Sequence, residues 1–194
     1  MHDVFERRML NQGDFSAKEL DRLAQLEVSE RRARQIVGDA VTAACTVLRR
    51  YRLEEFVTET RVNPGERLGR CDYWGTADLI SASAEDGILL VGDLKTGRGR
   101  VDVEFNDQLL SYALGALALI DFKPRQIVLA IFQPPIHGET PITWETTLET
   151  VEAFAQFAGE RASLTDDMST APHPSQDACM WCPARSVCPI HEPL

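Results

Sequence analysis

Apolar residues recur along this chain with two different periods, and the switches between them mark its elements. From Ser29 onward, Ala33, Ile36, Val37, Ala40, Val41, Ala44, Val47, Leu48 and Tyr51 return at three- and four-residue steps. That spacing predicts an amphipathic helix of roughly six turns, packed on something apolar. Residues 2–10 and 16–26 read as shorter helices joined by 11–14. The period falls to two over 56–62, as in a strand with one buried face, and Asn63-Pro64-Gly65 is a turn. Residues 67–81 are expected to form a second strand, 85–87 a tight connection, 88–95 a central strand and 96–100 a glycine-rich loop. Residues 104–121 read as a helix that Lys123-Pro124 ends. The continuous apolar run 126–132 is typical of a buried strand, 142–147 alternates like an edge strand, and 148–162 is helical. The tail from Ser163 is loop-like until its cysteines. This order of elements predicts an α/β fold.

At 194 residues the chain is long enough for one domain with a substantial core. Its 44% hydrophobic and 26% charged content is ordinary for a globular protein. No run reaches the ~18 apolar residues of a membrane span. The first residues carry mixed charge and no apolar core, so they do not read as a secretory signal, and a cytoplasmic protein is expected.

The candidate chemistry is concentrated in 38 residues, 75 to 112. Gly75-Thr-Ala-Asp78 sets one acid on a strand. Asp93-Leu94-Lys95 ends the next strand, where side chains two apart share a face. Gln108 and Tyr112 follow, four apart on one face of a helix. Two carboxylates and a lysine on neighbouring strands suit metal-assisted phosphodiester hydrolysis, and oxygen ligands favour Mg²⁺ or Mn²⁺.

These three ordered motifs resemble the PD-(D/E)xK nuclease superfamily, in particular its RecB-like exonuclease branch, which includes phage exonucleases and CRISPR adaptation nucleases. The resemblance runs from about His2 to Cys188. It implies a restriction-endonuclease-like core with a mixed central sheet flanked by helices, in a single nuclease domain over 1–194. It implies that Asp78 and Asp93 hold the metal, with the Leu94 carbonyl completing its shell. Lys95 would activate water or stabilise phosphorane charge. Gln108 would contact DNA or the metal-bound water, supported by Tyr112. His2, on the first helix, would be a further metal ligand. Glu59 falls at a frequent acidic position of the family, or is a solvent-facing acid on an alternating strand. The family normally has more chain before its first motif, so the sequence is expected to begin late or to be a trimmed domain.

A net charge of −10 argues against a DNA-binding protein until its distribution is considered. Residues 134–194 hold nine acids and two bases, so most of the excess lies outside the motifs. Arg98 and Arg100, beside Lys95, are the candidate phosphate contacts. The clusters Arg31-Arg32-x-Arg34 and Arg49-Arg50-x-Arg52 fit solvated helix faces equally well.

Cys179-x-x-Cys182 and Cys188, in a cysteine-rich segment 177–191, suit thiolate ligation of a metal. They resemble the C-terminal cysteines of the same branch, which implies a [4Fe-4S] cluster or Zn²⁺. The fourth ligand is open among Cys71, His173, His191 and a cysteine absent from this sequence. Cys45 reads as core, Cys71 as part of the second strand, and His137 and His173 as exposed. The implied partners are DNA and a recombination or annealing protein. Two other functions share these features: a catalytically inactive DNA- or protein-binding module of the same fold, and an iron–sulfur or zinc structural protein.

Overall fold

A computed structural model describes residues 1–167, 169–171, 174–175, 179–180, 182–188 and 190. Three helices come first: α1 (His2–Met9), α2 (Ala17–Gln25) and α3 (Glu30–Arg50). The strands and remaining helices follow as β1 (Val57–Val62), β2 (Gly75–Ser83), β3 (Ile88–Leu94), α4 (Asp107–Ala116), β4 (Gln126–Phe132), α5 (Pro134–His137), β5 (Ile142–Thr146) and α6 (Leu148–Leu164). The chain divides into two compact units, 1–157 and 158–194, with the boundary inside α6.

In the first unit the five strands form one sheet in sequence order, β1-β2-β3-β4-β5. β1, β2 and β3 are antiparallel, with a short turn between β2 and β3, whereas β3 and β4 are parallel. A parallel pair needs a long crossover, and α4 supplies it. The architecture is therefore α/β with a mixed sheet flanked by helices, compatible with a restriction-endonuclease-like core. Val4, Phe5, Val37, Ala40, Ala44 and Val47, from α1 and α3, pack with Leu79, Leu90, Leu94, Val128, Ala130 and Phe132. Each of the valine, leucine and phenylalanine side chains contributes roughly 1.5–3 kcal/mol by leaving water. Gly92 is needed here, because a Cβ on it would sit 2.6 Å from the Phe132 ring. Cys45, expected in the core, lies half-buried against it.

Four expectations need correction. The second strand begins at Gly75, not 67. Pro64 starts a 3-10 turn (Pro64–Leu68), which Gly69 closes at φ 67, so 67–74 cannot lie in the sheet. Cys71 is accordingly an exposed loop residue. The helix expected over 104–121 is shorter, because Asn106 caps it through a bond from Leu109 N (3.1 Å) while Phe105 adopts φ 52. His137 is half-buried at the end of the unforeseen helix α5.

In the second unit, a 3-10 turn (Arg185–Val187) lies between Cys182 and Cys188. Cys179 and Cys188 are half-buried and Cys182 is exposed; all three are free thiols. His173 and His191 lie outside the described residues. Among the described residues, no helix is long and apolar enough to cross a membrane.

Candidate metal and phosphodiester site

The C-terminal end of β3 and the middle of β2 open onto a cleft of about 400 Å³. It is lined by His2, Glu59, Thr76, Asp78, Asp93, Leu94, Lys95, Thr96, Gly97, Gln108 and Tyr112. Sheet register explains the central pair. Leu79 is opposite Gly92, so the next step along both strands sets Asp78 against Asp93. Both are almost completely buried. Burial raises the pKa of Asp93, and the nearby Lys95 ammonium opposes that shift.

Around Asp93 the side chains form a closed set. Lys95 Nζ donates to Gln108 Oε1 (2.5 Å) and lies 2.8 Å from Asp93 Oδ2. Gln108 Nε2 donates to Asp93 Oδ1 (3.1 Å) and lies 2.8 Å from the Tyr112 hydroxyl. The one-turn spacing of Gln108 and Tyr112 on α4 makes the last contact possible. Tyr112 fits because Gly75 has no Cβ; one built there would stand 2.5 Å from the ring. A bond between the Tyr73 hydroxyl and Ser111 ties α4 to the approach of β2.

Around Asp78 a second set gathers. His2 Nδ1 lies 2.8 Å from Asp78 Oδ1, and Leu94 N–H donates to Asp78 Oδ2 (2.6 Å). Leu94 thus meets the site through its backbone. Glu59 Oε1 is 3.9 Å from His2 Nδ1. One ligand atom from each of His2, Glu59 and Asp78 falls within 4.8 Å of the others. The hydrogen bond to Asp78 raises the pKa of His2 despite burial, and the charges of Asp78 and Glu59 add to the effect. Burial, then the charge of Asp78, pushes the Glu59 carboxyl up to about 7.

The strand pairing is interrupted at Glu59. The pairs Thr58↔Leu79 and Thr60↔Ala77 flank it in unchanged register, but Glu59 and Asp78 do not pair. Glu59 has φ 46, left-handed backbone that costs a residue with a side chain on the order of 1–3 kcal/mol. The alternation read from the sequence therefore fails at Glu59, and nothing in a lone glutamate signals a left-handed backbone.

The donor set fits a hard divalent cation. Three carboxylates and one imidazole face the cleft, and oxygen-rich sets of this kind favour Mg²⁺ or Mn²⁺. Two buried carboxylate oxygens, Glu59 Oε1 and Asp93 Oδ2, have no hydrogen-bond partner among the described residues. The Lys95 contact to Asp93 Oδ2 is an ion pair by distance but lacks hydrogen-bond geometry. A buried acceptor such as Glu59 Oε1 is costly unless a cation or water completes it. Cys179, Cys182 and Cys188 make no such group; among the described residues His2, Glu59 and Asp78 are the set that converges.

Arg98 and Arg100 are exposed on the glycine-rich loop beside the cleft. Arg100 is 3.6 Å from Asp102, with both side chains largely in solvent, where such a pair contributes little. A residue outside the sequence motifs holds this loop. Gln133, 1% exposed, donates to the carbonyls of Gly97 (3.1 Å) and Gly99 (2.6 Å) and accepts from Val101 N–H (3.3 Å). A polar residue directly after the apolar run of β4 was the available signal.

Fold and site together define an α/β protein with an acid-rich cleft suited to a divalent cation. The chain belongs to the family described as "Protein of unknown function (DUF2800)", which matches residues 4–192. A solved structure described as "Crystal structure of SSO0001" is similar, with 19% sequence identity and a TM-score of 0.41, over 98% of this chain and 85% of that one.

Proposed function

We propose that this chain is a Mg²⁺- or Mn²⁺-dependent deoxyribonuclease of the PD-(D/E)xK, RecB-like type. It hydrolyses phosphodiester bonds in DNA as a cytoplasmic exonuclease of recombination, repair or phage DNA processing. One observation carries the reading: Asp78, Asp93, Lys95, Gln108 and Tyr112 line one cleft, which also contains a buried Glu59 oxygen with no hydrogen-bond partner among the described residues.

His2, Glu59 and Asp78 would hold the cation, with Asp93 close by. When bound, it would polarise a phosphate oxygen and lower the pKa of an attacking water. The chain's own groups do the rest. Lys95 brings a fixed positive charge to where negative charge develops at phosphorus. Gln108 and Tyr112 hold Asp93 and Lys95 in place, so little reorganisation is needed during reaction. Leu94 N–H fixes the Asp78 carboxylate. Arg98 and Arg100 take neighbouring phosphates, contacts that carry no sequence information.

The test is cleavage of end-labelled linear DNA and of circular DNA in Mn²⁺, with Asp78→Ala and Asp93→Ala in parallel. Cleavage of the linear substrate by wild type alone supports the reading. Variants that cut at the wild-type rate would overturn it. The same protein, purified without oxygen, reports through iron and zinc analysis whether the three tail cysteines carry a thiolate-bound metal.

A further inference from the structure

Trp74 is 54% exposed, and the Arg61 guanidinium lies over its ring at 4.3 Å from the centroid. A large aromatic left in water is costly, and a guanidinium stacked on it covers only part of the surface. Among the described residues Arg61 makes no ion pair, so its N–H edge is available to an anion.

The location gives the pair its meaning. Arg61 sits directly opposite Thr76 across the β1–β2 ladder, and directly opposite residues share a face. Trp74 precedes Thr76 by two residues, about 7 Å of extended chain, and Arg61 reaches over it. Thr76 itself lines the cleft. The stacked pair therefore lies at the start of β2, next to Thr76 at the edge of the cleft.

We propose that Trp74 and Arg61 form a subsite for an unpaired nucleobase and its phosphate, so that the cleft takes single-stranded DNA or a frayed end. A base inside a duplex has both faces covered by its neighbours; an unpaired base offers a face to an aromatic ring. The planar guanidinium stiffens the indole and presents donors to a phosphate. The proposal rests on the nuclease reading for its choice of nucleic acid, and the experiment separates the two.

The probe is an unlabelled oligothymidylate, compared with a blunt duplex of the same length. Binding to the full chain is measured in Ca²⁺ by quenching of indole fluorescence, and cleavage is measured separately in Mn²⁺. The single strand should quench the wild type and Trp144→Phe, but not Trp74→Phe. Trp74→Leu should bind the single strand about 10-fold more weakly, as loss of one base–aromatic stack implies. Trp74→Tyr should recover most of that loss. Duplex affinity and the thermal midpoint should not change, because the ring is exposed. A Trp74→Leu protein that binds oligothymidylate as wild type does would overturn the subsite, and wild-type cleavage in Mn²⁺ would then leave the nuclease reading standing. A Trp74-dependent single-strand affinity without cleavage would keep the subsite and sink the nuclease reading. A wild type that neither binds nor cuts would overturn both.

Discussion

The imidazole Nδ1 of His2 lies 2.8 Å from Oδ1 of Asp78, a residue 76 positions further along the chain. Val4 and Phe5, both buried in the core, fix the helix that brings His2 there. His2 is thus held by packing, and it shares Asp78 with the Leu94 amide.

This arrangement makes cation binding measurable without any activity assay. Mn²⁺ should raise the thermal midpoint of the wild type, because a ligand that binds only the folded state adds about 2.7 kcal/mol at 100 times its Kd. His2→Ala, Glu59→Gln and Asp78→Asn should each lose most of that shift. In Asp78→Asn the amide oxygen can still accept from Leu94 N–H, so the fold is retained. Equal Mn²⁺ shifts in all four proteins would show that the cation sits elsewhere.

Lys95 is engaged by Asp93 and Gln108, yet its ammonium opens into the cleft. Lys95→Ala should lower the single-turnover cleavage rate by about 10²-fold or more, typical of losing one transition-state donor. DNA affinity in Ca²⁺ should change little. An unchanged rate with a large loss of affinity would reassign Lys95 to phosphate anchoring.

Gln133 gives a prediction about order in the loop. Gln133→Leu keeps the volume but leaves the carbonyls of Gly97 and Gly99 and the Val101 amide without their partner. Each of the three bonds is worth about 1 kcal/mol net, so trypsin should cut after Arg98 and Arg100 up to about 10²-fold faster. Cleavage at the wild-type rate would mean that the loop is held by other means.

An acid transition should appear at α2, which buries none of its residues. Glu19 accepts from Ser16 Oγ (2.6 Å), Ser16 N (2.8 Å) and Arg7, and these bonds lower its pKa from 4.5 to about 2. A depressed carboxyl pKa contributes stability above pH 4.5, and that contribution is lost as the pH falls towards 2. Glu19→Gln should therefore destabilise the protein at pH 7 by no more than ~1 kcal/mol, given the solvent exposure of the group. The difference should disappear near pH 2. Parallel melting curves at the two pH values would decide against the capping box as its source.

Much of the fold could be read in the chain because its periods are clean. The stripe from Ala33 to Leu48 and the apolar runs of β3 and β4 give unambiguous elements. Asp78, Asp93, Lys95, Gln108 and Tyr112 were identifiable by order and spacing, since strand and helix geometry already pairs them. What escaped notice depends on contacts distant in sequence or on backbone that composition does not signal. Gln133 matters only because the loop at 97–101 folds onto it. Glu59 matters because its backbone turns left-handed inside a strand. The start of β2 was misplaced because Pro64 and Gly69 favour a compact turn over the extended chain that the following residues suggest.

The interrupted pairing at Glu59 also bears on how this protein stays apart from its copies. β1 is an edge strand, and a long regular edge is a template on which another chain can add and start aggregation. A left-handed residue in its middle breaks that edge into two short pieces. An incoming strand could follow each piece for no more than about three residues before losing register. Replacing Glu59 with a residue that restores regular extended backbone would relieve strain and remove a cleft acid. It would also leave an uninterrupted edge, so such a variant should be more stable when dilute and clump sooner when concentrated.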